Sequence, residues 1–393
     1  MSRQLMPRSI RARFLSGNHI TLLQNGEAFF PALEAAILSA RRQVWLETYI
    51  FSDDAIGRRM RDALADAASR GVQVRVAVDG FGSNRLKPGW WQPLLEAGGE
   101  VRVFRPEHRL WSFKRSRLRR LHRKLAVMDG QAGFVSGINI QDDWDIPGQS
   151  APRFDFAVQV EGPLVPRITA AMEKLWLRLQ QGREPERLGG EPNPQADRPG
   201  TARVALLLRD NLRHRRDIER AYLSAVGHAR HEIIISCAYF LPGRRFRRAL
   251  LAAAQRGVKI TLLLQGMVEY RLQQAATRAL YGPLLDAGVG IYEYQPSHLH
   301  AKVAIVDGRW ATVGSSNIDP FSLLLAREAN IAVEDENFAG DLKQRLEQVM
   351  ARDCELIESA AWHRQPWHVR LRCWLAYGVV RYVLGAIEIP RKW

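Results

Sequence analysis

The sequence predicts an α/β protein built twice: two similar domains, each a sheet flanked by helices, related by a pseudo-twofold axis and sharing one site at their interface. Three observations lead there. The string "LHRKLAVMDGQAGFVSGIN" from Leu121 returns as "LHAKVAIVDGRWATVGSSN" from Leu299, 178 residues on, with His, Lys, Asp-Gly and Asn at the same offsets. Segments that read as helix, Gly stop and Val/Ile/Leu strand also recur. "ALADAASRGVQVRVAVDG" from Ala63 matches "ALLAAAQRGVKITLLLQG" from Ala249, and "PLLEAGGEVRVFRP" matches "PLLDAGVGIYEYQP". Between the copies lies "QGREPERLGGEPNPQADRPGTAR", whose Pro, Gly and charge mark a linker.

The elements follow in order. A basic segment over 1–18 precedes a first domain over 19–181. The linker covers 182–203, the second domain 204–353, and a basic amphipathic segment 354–393. "ALEAAILSARRQVWLETYIF" and "DIERAYLSAVGHARHEIIISCAYF" each read as helix then strand and open the two domains. A period of this length suits a duplicated domain and is too long for a solenoid.

Composition narrows the function. The chain has 393 residues, a net charge of +16 and a pI near 10.3, which favours polyanionic partners such as nucleic acid or anionic lipid head groups. Nearly all of the positive charge is Arg, with only eight Lys, two of them in the repeated string. Lys is a compact point charge where Arg is a planar fork, so Lys at both equivalent positions implies a geometric need. Cys237, Cys354 and Cys373 form no spaced pair, which argues against a disulfide framework or a zinc site. The opening "MSRQLMPRSIRARF" is basic with no apolar stretch behind it, so no signal peptide is expected. No apolar run approaches the length of a membrane-spanning helix. The segment "PWHVRLRCWLAYGVVRYVLGAIEIPRKW" comes nearest, interrupted by Arg370, Arg372 and Arg381; it reads as a helix lying in a membrane interface or packed on the domain.

Each repeated string reads as a strand, an Asp-Gly hairpin turn and a return strand. Residues two apart share a strand face, so His122 pairs with Lys124 and His300 with Lys302. The hairpin brings Asn139 and Asn317 back towards their own His and Lys. Asp129 and Asp307 stand before Gly and read, as residues, as turn formers. Two imidazoles, two ammoniums and two amides around one spot suit in-line attack on a phosphodiester. One His forms a covalent phosphohistidine and the other protonates the leaving alkoxide, then deprotonates the next nucleophile. Lys124, Lys302, Asn139 and Asn317 hold the non-bridging oxygens. No metal and no cofactor are expected, because two fixed cations already stand at the phosphate. Asp155 in "RFDFAVQVEGP" and Glu328 in "REANIAVED" are the candidate acceptors that orient the imidazoles.

The paired H-x-K-x4-D strings resemble the phospholipase D superfamily, and the resemblance covers most of the chain. "LLQNGEAFFPALEAAI", "LETYIF", "RVAVDGFGS" and "DFAVQVEGP" resemble more particularly bacterial cardiolipin synthases, above all the B type. The resemblance implies two phospholipase D-like domains with one active site between them. It implies His122 as nucleophile and His300 as general acid, and it adds Asp129 and Asp307 to the catalytic set. Some cardiolipin synthases carry two amino-terminal membrane helices; their lack here implies peripheral attachment, on the cytoplasmic face of the bacterial inner membrane. The first string ends "SGIN" and the second "GSSN", an exchange expected to matter little.

The intermediate does not choose its acceptor: a lipid alcohol gives a synthase, water a phosphodiesterase acting on lipid or nucleic acid. The basic, aromatic-laced stretches "EHRLWSFKRSRLRRLHRK" and "YFLPGRRFRRALL" suit an anionic membrane, or single-stranded nucleic acid, which the apolar C-terminus makes the weaker expectation. The expected reaction is phosphatidyl transfer to phosphatidylglycerol, from a second phosphatidylglycerol or from phosphatidylethanolamine, giving cardiolipin. A basic membrane-binding protein without catalysis is the reading from another class.

Overall fold

A computed structural model describes residues 13–106, 119–181, 199–210 and 214–388. Much of the basic stretch before His122 (107–118), most of the linker and both chain ends therefore lie outside the described residues. The first half contributes seven strands: β1 (Leu15–Gln24), β2 (Gln43–Thr48), β3 (Gln73–Asp79), β4 (Glu100–Phe104), β5 (Lys124–Met128), β6 (Ala132–Ser136) and β7 (Phe156–Glu161). The second contributes β8 (Ala202–Arg209), β9 (Glu232–Cys237), β10 (Lys259–Gln265), β11 (Gly290–Tyr294), β12 (Lys302–Val306), β13 (Trp310–Gly314), β14 (Glu328–Glu334) and β15 (Cys354–Leu356).

The strand order is β15-β11-β10-β9-β12-β13-β14-β8-β1-β7-β6-β5-β2-β3-β4. Read outward from the β8–β1 junction, the two halves run through equivalent strands in the same sequence, which is the pseudo-twofold the repeats predict. In each half the β2-β3-β4 or β9-β10-β11 set is parallel, joined by helices, and the hairpin half is antiparallel. The edge strand β15 pairs with β11, so the sheet of the second half reaches beyond residue 353.

Strand alternation builds two sides of core from each sheet. Leu125 and Val127 of β5 join Val303 and Ile305 of β12 in a single cluster that both halves share. Their neighbours Ala126 and Met128 face the helices Asn25–Ser39 and Ala55–Ser69, while Ala304 and Val306 face Asp217–His228 and Arg244–Gln255. The order is thus helices, sheet, shared core, sheet, helices. The shared core presses the two hairpins towards each other, and the site lies where their strands begin.

The C-terminal helix Trp367–Glu388 packs on the second half with part of its surface and leaves the rest exposed. Cys373 and Ala376 are buried in the core of the second half, while Trp367, Leu371, Trp374, Leu375, Val379 and Tyr382 are exposed. Among the described residues no helix is long and apolar enough to cross a membrane.

Candidate active site

Two short backbone bridges assemble the site, and both run between the halves. The His122 amide donates to the Arg327 carbonyl (2.9 Å) and the Arg327 amide to the Arg120 carbonyl (2.7 Å). In the second half the His300 amide donates to the Phe154 carbonyl (2.8 Å) and the Phe154 amide to the His298 carbonyl (3.1 Å). Each bridge sets a histidine beside the carboxylate that follows the partner residue. His122 Nδ1 lies 3.0 Å from Glu328 Oε2, and His300 Nδ1 lies 2.6 Å from Asp155 Oδ2. Both candidate orienting carboxylates thus serve the histidine of the opposite half. With its Nδ1–H donating to a carboxylate, each imidazole keeps the Nε2 lone pair for the cleft. The histidine side chains are 17% and 16% exposed against 0% and 3% for Glu328 and Asp155, so the imidazoles alone of each pair reach solvent.

Lys124 and Lys302 are buried, and each ammonium donates to the carbonyl of the histidine two residues before it. Lys302 also lies 3.6 Å from Asp155 Oδ2. Asn139 Oδ1 accepts from the Ile50 amide (3.2 Å), and Asn317 Oδ1 accepts from the Tyr239 amide (3.3 Å). With each oxygen engaged on the residue two past β2 or β9, the amide NH2 groups remain as donors.

Burial dominates the electrostatics. It drives the Lys124 ammonium down to about 7, against the pull of Glu328 and with the push of Lys302. Burial also lowers Lys302, which Asp155 opposes, and raises the Asp155 carboxyl to about 6, which Lys302 opposes. His122 is lowered by burial, opposed by Glu328. His300 falls well below the ordinary histidine range, through burial first and then the charges of Lys302, Arg153 and Lys124 and the His122 ring. Each half's cations therefore weaken the basicity of the other half's histidine, as one shared site requires. Lowered in this way from 6.5, both imidazoles are neutral at pH 7.

The aspartates of the repeated strings require a correction. Asp129 and Asp307 sit in left-handed turn conformations (φ 54° and 51°), one residue past β5 and β12. The Asp129 carboxylate accepts from the amides of Arg41, Arg42 and Gln43 at 2.8–2.9 Å, and that of Asp307 from Arg230, His231 and Glu232 at 2.8–3.0 Å. Each is about 16 Å of strand from its lysine, at ~3.3 Å per residue. They pin hairpin to neighbouring strand and make no hydrogen bond to His122, Lys124, His300 or Lys302 among the described residues.

The Gly–Ser exchange also matters more than expected. Ser315 Oγ donates to Glu328 Oε2 (2.6 Å) while accepting from the Ala329 amide (3.0 Å). At the matching Gly137, a Cβ would stand 2.4 Å from the Asp155 carboxylate. One half uses a hydroxyl to hold its carboxylate; the other needs the space.

Further positioning residues escaped the sequence reading. Asp79 Oδ2 accepts from the Leu121 amide at 2.8 Å, and Gln265 Oε1 accepts from the Leu299 amide. Both end matching strands, in "VDG" and "LQG", and both hold the residue before a histidine. Their shared place in the repeat was the available signal. The Tyr49 ring packs on the His122 ring at 4.9 Å, with Lys124 Nζ 5.5 Å from its centroid. Its equivalent in the second half is Ala238, so among the described residues a ring packs on His122 and none on His300.

Comparison with known proteins places the sequence and the fold in one family. A family model described as "Cardiolipin synthase, PLD-like domain" matches residues 33–148 and 222–350. The chain is 38% identical to cardiolipin synthase B of Escherichia coli O6:H1 over 95% of its own length and 90% of that protein. It is 30% identical to cardiolipin synthase 1 of Bacillus cereus over 85% of its length and 67% of that protein. Among solved structures, phosphatidylserine synthase of Haemophilus influenzae Rd KW20 shares the fold with a TM-score of 0.71 at 12% identity, covering 96% of this chain and 97% of that one. Polyphosphate kinase of Porphyromonas gingivalis does so with a TM-score of 0.58 at 14% identity, over 94% and 53%. With both halves matched and near-complete alignment to its curated relatives, the chain belongs to the family of PLD-like cardiolipin synthases.

Proposed function

We propose that this protein is a phosphatidyltransferase that makes cardiolipin through a covalent phosphohistidine. The observation that supports the reading is the exchange of carboxylates between halves, which leaves the Nε2 atoms of His122 and His300 free to serve one phosphate beside Lys124 and Lys302. The phosphodiester of a donor lipid enters the site, and its negative charge favours protonation of His300 and of both lysines. His122 Nε2 attacks phosphorus, forming an N–P bond as the P–O bond to the head-group alcohol breaks. His300 gives its proton to the departing oxygen. The free hydroxyl of phosphatidylglycerol then loses its proton to His300 and attacks phosphorus, and the N–P bond breaks. Lys124, Lys302, Asn139 and Asn317 stabilise the equatorial oxygens in both steps. Glu328 and Asp155 orient the rings and favour each imidazolium as it forms. Phosphatidylglycerol or phosphatidylethanolamine serves as donor.

The enzyme works on an anionic membrane, bound peripherally on the cytoplasmic face of the bacterial inner membrane. The exposed stripe of the helix Trp367–Glu388 supports this reading. Its apolar residues recur every three or four positions, with Trp367 74% and Tyr382 79% exposed and Arg370 and Arg372 alongside. Incubating the purified protein with vesicles of labelled phosphatidylglycerol, with and without phosphatidylethanolamine, tests the function. Cardiolipin is the expected product. Phosphatidic acid alone would make the protein a hydrolase.

A further inference from the structure

We propose that the cleft between the helix Tyr281–Asp286 and the first turns of the helix Trp367–Glu388 is a lipid-anchoring site apart from the catalytic one, and that it holds the phosphodiester of a bilayer phospholipid. The inference rests on the membrane-docked reading proposed above and names a contact that fixes the docked protein on the surface.

The cleft is open to solvent and holds about 200 Å³, where ~10–15 Å³ already admits one water. One wall is Arg278, whose Nε and Nη2 donate to the buried Glu293 carboxylate at 3.0 and 2.5 Å, with Tyr281 Oη donating to the same carboxylate at 2.8 Å. The Arg278 charge is thus balanced, while its Nη1 makes no hydrogen bond among the described residues. Trp362 is 7% exposed, and its indole N–H has no hydrogen-bond partner among the described residues. A Cβ at Gly282 would stand 3.7 Å from that nitrogen, so the absent side chain leaves room beside the N–H. Arg370 lines the same space, exposed, with no hydrogen bond or ion pair among the described residues. Asp286 is 60% exposed, with Oδ1 engaged by His363 Nε2 at 2.8 Å. One unbalanced guanidinium, an orphan indole N–H and a spare guanidinium N–H therefore line one cleft. They match the single charge and the two non-bridging oxygens of a phosphodiester.

The place of the cleft on the helix makes a lipid the source of that phosphate. Trp367, Leu371 and Trp374 recur at three- and four-residue spacing on the exposed face, and Arg370 stands between that face and buried Cys373. Trp374, 54% exposed, belongs both to the apolar stripe and to the cleft wall. Tryptophan settles at head-group level in a bilayer, so a lipid with its chains beside Trp374 presents its phosphate to Arg370. One short helix ties the cleft to catalysis. Arg271–Arg278, about 12 Å long at ~1.5 Å per residue, starts beyond Gln265, which holds the residue before His300, and ends at the cleft wall. A lipid seated in the cleft sets the catalytic half at one depth and tilt on the surface.

The test measures binding of the full chain to vesicles of phosphatidylcholine alone and of phosphatidylcholine mixed with phosphatidylglycerol. Arg372, exposed on the same helix and absent from the cleft wall, is the control. Arg372→Gln should weaken binding about fivefold on the anionic vesicles and by no more than about twofold on the neutral ones, as a diffuse surface charge does. Arg370→Gln should weaken binding about tenfold on both, because every phospholipid carries the phosphodiester. Trp362→Phe, which keeps a ring and removes the N–H, should weaken both by about threefold. Melting curves accompany each variant, and exposed Arg370 carries the test should Trp362→Phe fail to fold. Millimolar inorganic phosphate should leave the gap between wild type and Arg370→Gln standing; its closure would make the free anion the occupant and overturn the lipid assignment. Equal behaviour of Arg370→Gln and Arg372→Gln on both vesicle types would overturn the site. A wild type that binds neither vesicle would instead overturn the membrane reading beneath it.

Discussion

Glu328 lies in the second half of the chain, and its carboxylate holds Nδ1 of His122, 206 residues earlier, at 3.0 Å. Asp155 returns the arrangement to His300 at 2.6 Å. Neither half therefore contains a complete histidine–carboxylate pair, and both pairs exist only while the halves are docked.

Removing the charge while keeping the shape tests that dependence. Glu328→Gln should lower turnover by about 10²–10⁴-fold, because an amide can stabilise the wrong tautomer and cannot favour the imidazolium. Folding should survive, since the replacement is isosteric. Rates on labelled phosphatidylglycerol, with melting curves alongside, decide it; near-normal turnover would contradict the orienting role.

The two histidines should separate by their dependence on the leaving group. His122→Ala should give no covalent adduct with any donor. His300→Ala should be inactive on phosphatidylglycerol yet still label His122 from a donor ester with an acidic phenol, which departs without a proton. The reverse pattern would exchange the two roles.

Asp129→Asn should act on stability and leave chemistry near the wild-type rate. An amide can still accept a hydrogen bond, but it cannot match a carboxylate shared among three backbone amides, and a loss of about 1 kcal/mol is expected. Denaturant unfolding and turnover are measured together. A large fall in turnover at unchanged stability would restore a catalytic role.

The pH profile of kcat/KM should be bell-shaped. Its acid limb belongs to His122, which must be neutral to attack; because burial lowers its pKa, activity should persist below the ordinary histidine value of 6.5. The alkaline limb belongs first to His300, which must be protonated to serve the departing oxygen and which burial holds well below 6.5 in the free enzyme, and then to Lys124, held at about 7, so kcat/KM should already be falling as pH rises towards 7. In kcat the same limb should move upward, since the bound phosphodiester favours the ammonium.

Membrane docking should depend on the outer face of the C-terminal helix. Trp374→Glu and Leu375→Glu replace exposed side chains and should weaken binding to anionic vesicles, with little change in melting temperature. Deleting the helix is a poorer test, because buried Cys373 and Ala376 tie it to the core. Unchanged partitioning of the double variant would assign the stripe another role.

The residues that act locally were legible in the chain, and those that act across it were not. The hairpins, the shared face of His and Lys, and the turn role of Asp129 follow from the two-residue strand period and from Asp-Gly turn preference. Ser315 was misjudged because its hydroxyl meets a carboxylate 13 residues further on, across a strand register no local pattern states. Asp79 and Gln265 were passed over because their work is to hold backbone amides 42 and 34 residues away.

The sequence by itself determined the duplication, the fold class, the hairpins and the chemical inventory of the site, because periodicity and turn chemistry are short-range. Only the tertiary structure decided which carboxylate serves which histidine, that the aspartates of the repeat stay outside the site, and that a tyrosine packs on His122. Those choices rest on two backbone bridges and a shared apolar core between the halves. Such contacts form when the docked sheets bury their inner faces together, and no stretch of either repeat encodes them alone.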